Sequence, residues 1–153
     1  MEENDAAQSL RGLITFVGVA HPWMCDAMGH VNVRSYAAMF DDASFQLLGR
    51  VAGIAAEEGS HLGWADVRCE VAYRREIRAG DLLTIHSRVE KIGNSSLAYS
   101  HRLIGSIDGA VRADAKIVTV RFDTGARRKM ELEDHIRLRV EALMRRQASA
   151  LAE

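Results

Sequence analysis

Residues 14–53 read ITFVGVA, HPWMCDAMGHVN and VRSYAAMFDDASFQLLGRVAG, three consecutive pieces with three different spacings. Ile14 to Ala20 is a short β-branched apolar run stopped by Pro22, which predicts a strand. From Val33 the apolar residues return in a three-and-four rhythm through Tyr36, Phe40, Ala43, Leu47 and Val51, with Ala37, Ser44 and Leu48 beside them. That rhythm predicts a helix of about five turns. Its polar edge carries Arg34, Asp41, Asp42 and Arg50, and Gly49 or Gly53 marks its end. Asp26 stands seven residues ahead of the helix start, Gly29 permits a tight turn, and Asn32 is placed to cap the helix. The free N–H groups of a helix N-terminus can hold a developing negative oxygen, and such donors are worth roughly 10²- to 10³-fold in rate when well placed. A carboxylate facing them suits acyl transfer.

Downstream the period becomes two. After a loop holding Gly59 and Gly63, Val67, Cys69, Val71 and Tyr73 alternate with Asp66, Arg68, Glu70 and Ala72, as in a half-buried strand. Leu83, Ile85, Ser87 and Val89, then Leu97, Tyr99, His101 and Leu103, predict a hairpin across the Gly93-Asn94 turn. Lys116, Val118, Val120 and Phe122 line one face of a last strand, reached through Asp108-Gly109. Leu132 to Ala148 reads as a short terminal helix with a loose apolar side of Ile136, Leu138, Val140, Leu143 and Met144. A strand, a long helix, four antiparallel strands and a closing helix make an α+β layer. The uncovered face or edge of its sheet is most simply covered by a second copy, so a homodimer or a pair of dimers is expected.

Composition narrows the classes. The 153 residues are 48% hydrophobic and 27% charged with one proline, which excludes disorder and leaves no linker, so 1–153 is expected to be one domain with its core at about 14–124. Residues 1–60 carry a net −5, while 61–123 and 124–153 carry +2 each. Without a large basic excess, no nucleic-acid partner is expected. No apolar run approaches the roughly 20 residues of a membrane span, and the acidic opening MEENDAAQSL lacks a secretory pattern, so the expected location is the cytoplasm, with no membrane partner. Cys25 and Cys69 are too few for a disulfide framework, and the six histidines show no ligand spacing, so no metal is expected.

The string Asp26-Ala27-Met28-Gly29-His30-Val31-Asn32-Val33-Arg34-Ser35-Tyr36 closely resembles the D-x-x-G-H-x-N-x-x-x-Y signature of hot-dog-fold acyl-CoA thioesterases of the 4-hydroxybenzoyl-CoA thioesterase type. The likeness covers roughly residues 14–124, including Gly93-Asn94-Ser95-Ser96-Leu97, similar to that family's inter-strand turn. It implies a curved antiparallel sheet around a central helix, an acyl-CoA substrate, and a site at a subunit interface. No separate cofactor is implied, because CoA enters as part of the substrate. By the same resemblance Asp26 takes the place of the catalytic nucleophile or base, and the Val33 backbone amide polarises the thioester carbonyl. Gly29, His30, Asn32 and Tyr36 then shape the loop and the helix entry, with Asp42 a candidate auxiliary carboxylate. A carboxylate is ionised at neutral pH and needs no separate activating base.

Two positions depart from the family pattern. Val33 replaces a second Asn often found there, which removes a side chain but keeps the amide. The turn at Gly93-Asn94-Ser95 lacks the basic cluster that meets CoA phosphate in the 4-hydroxybenzoyl-CoA enzyme, so phosphate contact falls to Arg127, Arg128 and Lys129, or to Arg74, Arg75 and Lys91. The rival readings are an acyl-CoA-binding or sensing module without turnover and, more remotely, a hot-dog hydratase or dehydratase, whose catalytic histidine motif is not matched.

Overall fold

The computed structural model describes residues 12–53 and 60–152. Gly59 and the acidic opening segment lie outside them. The elements run β1 (Leu13–Val19), a single 3-10 turn (Pro22–Met24), α1 (Val33–Ala52), β2 (Leu62–Tyr73), β3 (Leu82–Ile92), β4 (Ser96–Gly105), β5 (Val111–Asp123), β6 (Arg128–Lys129) and α2 (Asp134–Ala152). The strands form an antiparallel sheet in the order β1-β3-β4-β5-β2, with the two-residue β6 added beside β5. This is the α+β hot-dog arrangement that the sequence predicts, a sheet wrapped on one long helix. Strand β2 does not pair with the next strand in sequence but crosses to the far edge against β5.

Helix α1 begins where Asn32 accepts from the Arg34 N–H at 3.1 Å and ends at Gly53, whose φ of 86° stops it. Its buried stripe is Tyr36, Met39, Phe40, Ala43, Ser44, Leu47 and Val51, and Ala37 points outward. The first half of the stripe packs on Leu83, Ile85, Leu103, Ala113 and Ala115, where the two small alanines of β5 admit the bulky Tyr36 and Phe40. The second half meets Val89, Leu97, Tyr99 and Ile117, closed from below by Leu132, Ile136 and Val140. The core thus extends past the expected limit at 124, because α2 supplies part of it. Leu138, expected on the apolar side, is exposed.

The face of β5 read from the sequence is the outer one, and the reading of β2 as an unbroken alternation is corrected. On β5 the core-facing residues are Ala113, Ala115, Ile117, Thr119 and Arg121, whereas Lys116, Val118, Val120 and Phe122 line the outer face. The outer row is the more hydrophobic by composition, and the small and polar inner row gives no apolar signal. On β2 the register shifts between Asp66 and Arg68, so Val67 sits in a bulge and is 62% exposed. The bulge changes the parity of the strand. Trp64 and Asp66 before it, and Cys69, Val71 and Tyr73 after it, lie opposite the core-facing residues of β5. Gly63 belongs to this strand and not to the loop before it.

The C-terminal part of the chain is tied to the sheet by charge. Arg121, nearly buried, meets Glu133 through Nη2 at 2.7 Å and Nε at 3.0 Å, donates to the Gly63 carbonyl, and lies over the Trp64 ring. Burial works to raise the Glu133 carboxyl, but the Arg121 guanidinium outweighs it and holds the pKa below the usual value. Replacing only one partner leaves the other charge poorly solvated. We expect Glu133→Ala to lose about 2–3 kcal/mol in chemical denaturation, and the double replacement Arg121→Met with Glu133→Met to lose less than the single one.

Candidate active site

The chain between β1 and α1 is folded tightly onto the start of β3. Ala20 N–H donates to Asp81 O at 2.9 Å and Gly80 N–H returns to Ala20 O at 2.8 Å, which pins the end of β1. After the 3-10 turn, where His21 stacks on Trp23, Cys25 and Val31 form an isolated antiparallel bridge. Within this small hairpin Asp26 N–H donates to His30 O at 2.9 Å and Gly29 N–H to Asp26 O at 3.0 Å. Gly29 turns it with φ 80°, a conformation that a side chain would strain. Val31 N–H bonds Ile77 O at 2.8 Å and Asn32 N–H bonds Met24 O at 2.8 Å, so the loop is held from both sides.

The hairpin fixes the carboxylate. Asp26 is half-buried, and its Oδ1 accepts from the Met28 N–H at 2.9 Å, an Asx-type turn. Its second oxygen has no hydrogen-bond partner among the described residues. At the helix entry, the Asn32 side chain takes the Arg34 N–H, and Ser35 and Tyr36 N–H turn back to Asn32 O. The Val33 N–H is the first-turn amide that makes no hydrogen bond among the described residues. A half-buried carboxylate with one restrained and one unengaged oxygen therefore stands in the loop that delivers an unengaged helix N-terminal amide.

The other expected residues fall into two groups. His30 and Tyr36 join the loop to the segment after β2: His30 Nε2 lies 3.0 Å from Glu76 Oε2, and the buried Tyr36 donates to Arg75 O at 3.5 Å while meeting Tyr73 edge-on. Burial first, and the neighbouring Tyr73 second, raise the Tyr36 pKa above its ordinary value, so this phenol stays protonated. Asp42 is exposed on α1, about 14 Å along the helix axis from Val33. Arg128 and Lys129 form β6, with Arg127 just before it, and pair with Asp123 and Phe122 at the end of β5. The Asp26 loop sits at the other end of that strand, beside Ile77, roughly 30 Å away along β5. Arg127 itself lies over the Phe122 ring.

Glu76 and Arg78, which flank the Ile77 anchor of the loop, were not among the expected site residues. In sequence they form part of a charge run, Arg74-Arg75-Glu76-Ile77-Arg78, of the kind that usually marks a solvated turn. Only the crossing of β2 to the far edge, which returns the chain past α1, brings them to the site. Among the described residues no helix is long and apolar enough to cross a membrane, and no group of three or more His, Cys, Asp or Glu side chains could hold a metal ion.

Comparison with known proteins gives the family and the fold. The chain is 26% identical over 120 residues to the long-chain acyl-CoA thioesterase FadM of Escherichia coli, an alignment covering 78% of this chain and 91% of that protein. A Thermus thermophilus thioesterase, solved in complex with coenzyme A and Zn, superposes with a TM-score of 0.73 at 28% identity, over 86% of this chain and 93% of that one. A Staphylococcus aureus protein in complex with CoA shares the fold at a TM-score of 0.81 and 13% identity, over 89% and 87% of the two chains. The profile of the thioesterase-like superfamily matches residues 20–140, which include the Asp26 hairpin, α1, β2 to β5 and the start of α2; the chain belongs to this superfamily, and is a thioester hydrolase with the hot-dog fold.

Proposed function

We propose that the protein hydrolyses acyl-CoA thioesters to a free acid and CoA, with Asp26 as the reacting carboxylate and the Val33 amide as the donor to the carbonyl oxygen. The observation that carries this reading is the pairing of an unengaged Asp26 oxygen with an unengaged helix N-terminal N–H on one hydrogen-bonded loop. Either of two routes uses it. In one, the carboxylate attacks the thioester carbon, CoA leaves as thiolate, and water cleaves the mixed anhydride. In the other, Asp26 takes a proton from water as the water attacks. In both, negative charge grows on the former carbonyl oxygen, where the Val33 N–H and the helix N-terminus stabilise it. Arg75 and Arg78 beside the loop are better placed for phosphate contact at the same chain's site than Arg127, Arg128 and Lys129.

The working unit in this proposal is a homodimer or a pair of dimers. Among the described residues strand β2 pairs on one side only, with β5, and Leu62, Val67 and Tyr73 are exposed on it beside Asp66, Arg68 and Glu70. A long unpaired edge of this kind invites pairing with another strand. The test is release of free thiol from short, medium, long, aromatic and polar acyl-CoAs, run over a dilution series with oligomeric state followed by light scattering. Turnover on at least one chain class, falling as the dimer dissociates, is expected. Tight acyl-CoA binding with no thiol release on any member of the panel would replace hydrolysis by a binding or sensing role.

A further inference from the structure

A groove of about 530 Å³ lies away from the Asp26 loop. It opens between the C-terminal end of α1, the face of α2 and the first residues of β1, and Arg50 on its rim is about 25 Å along α1 from Val33. Its walls are apolar, formed by Leu13, Val51, Ala142 and Leu143, and its rim carries the exposed guanidinium groups of Arg50, Arg139 and Arg146. No acidic side chain is among the described lining residues.

This arrangement differs from the ion pairs on the outer face of the sheet, where Arg68 stands with Glu70, Arg88 with Glu90, and Arg74 and Arg102 with Asp114. Around the groove no such ion pair is formed by Arg50, Arg139 or Arg146 among the described residues; Arg50 reaches only the Ile14 carbonyl, at 3.4 Å. Three like charges around one concave surface repel each other, and a bound anion would offset that repulsion. Gln147 gives an independent indication. It lines the groove, is 7% exposed, and has both amide atoms buried without a hydrogen-bond partner among the described residues. Buried amide groups are rarely left unpaired, since each orphaned atom costs stability.

We propose that this groove binds an amphipathic carboxylate, its head held by the Arg139 and Arg146 guanidinium groups with Gln147 Nε2 as a further donor, and its tail lying on Leu13, Val51 and Leu143. A planar carboxylate matches the guanidinium fork, and the volume falls within the range of small-molecule sites, roughly 300–1,000 Å³. The binding is separate from turnover at Asp26 and does not depend on it.

Titration calorimetry with decanoate on the full chain tests this site. Wild-type protein should bind decanoate at least about tenfold more tightly than 1-decanol, because the alcohol fills the same apolar walls without the charged head. The exposed-site double variant Arg139→Gln with Arg146→Gln should weaken decanoate about tenfold or more, whereas Asp26→Asn should leave its affinity unchanged. Gln147→Leu removes two orphaned polar atoms, so it should weaken decanoate without lowering Tm. Equal affinity for decanoate and decanol, wild-type affinity in the double-arginine variant, or loss of binding in Asp26→Asn would each overturn the proposal.

Discussion

The Asp26→Asn variant is expected to fold and assemble like the wild-type protein and to lose about 10²–10⁴-fold in kcat on its best acyl-CoA. The Met28 N–H is bonded to Asp26 Oδ1 at 2.9 Å, and an asparagine carbonyl oxygen can accept the same hydrogen bond. The hairpin closed by Cys25 and Val31, the Gly29 turn and the Asn32 cap all rest on backbone groups that the substitution does not touch. What disappears is the negative charge on the other oxygen, and with it both the nucleophile and the base. Substrate binding by the helix entry and neighbouring cations should persist, so KM should move by less than about threefold while kcat collapses. Steady-state thiol release, with circular dichroism and light scattering as controls on folding and assembly, separates these quantities. A variant that keeps more than half of wild-type kcat would remove Asp26 from the chemistry.

The second large effect lies in the core, where His101 is 1% exposed. Its Nε2 is 3.0 Å from Ser44 Oγ and its Nδ1 is 2.5 Å from Ser87 Oγ, which in turn lies 2.6 Å from Thr15 Oγ1. Ser44 Oγ–H reaches the Phe40 carbonyl at 3.0 Å and Thr15 Oγ1–H the Ile85 carbonyl at 3.4 Å, so the array ends on a backbone oxygen at either side. One chain of hydrogen bonds thus joins β1, β3, β4 and α1 around a neutral imidazole. Burial lowers the His101 pKa from the model-peptide value of 6.5 to about 4. In the unfolded chain the ring binds a proton below about pH 6.5, whereas in the fold it stays neutral down to about pH 4. The stabilisation is therefore complete above pH 6.5, shrinks as pH falls through the window from 6.5 to 4, and is gone below it. Its size is about 3 kcal/mol. Urea denaturation at a series of pH values should show this slope in wild-type protein. His101→Gln should be less stable at pH 7 and should lack this component of the slope. Parallel pH profiles for the two proteins would contradict the assignment.

The sequence made some of this legible and hid the rest for physical reasons. The Asp26-to-Tyr36 signature, the Asn32 cap and the Gly53 stop are local, so residue type and spacing suffice to place them. The inward face of β5 carries little apolar signal because it must accommodate Tyr36 and Phe40, and alanine leaves the room that leucine would fill. The β2 bulge at Val67 breaks a perfect alternation with no marker residue, neither Gly nor Pro. Glu76 and Arg78 reach the site only through pairing between strands far apart in sequence, as does the His101 chain, which draws on residues 15, 44, 87 and 101. The edge position of β2, opposite β1 across the sheet, follows from the same long-range order.

That strand order has a consequence for the protein's birth on the ribosome. The Asp26 hairpin and α1 emerge right after β1, but the loop leans on Ile77 and Asp81, and the apolar stripe of α1 is covered only when Leu83 to Ile117 have followed. At a synthesis rate of about 5–20 residues per second, the nascent chain carries that uncovered stripe for roughly 4–17 s. Throughout that interval Tyr36, Phe40 and Leu47 are open to chaperones and to neighbouring nascent chains, and β2 too stays unpaired until β5, its strand partner among the described residues, is made fourth among the strands that follow β1.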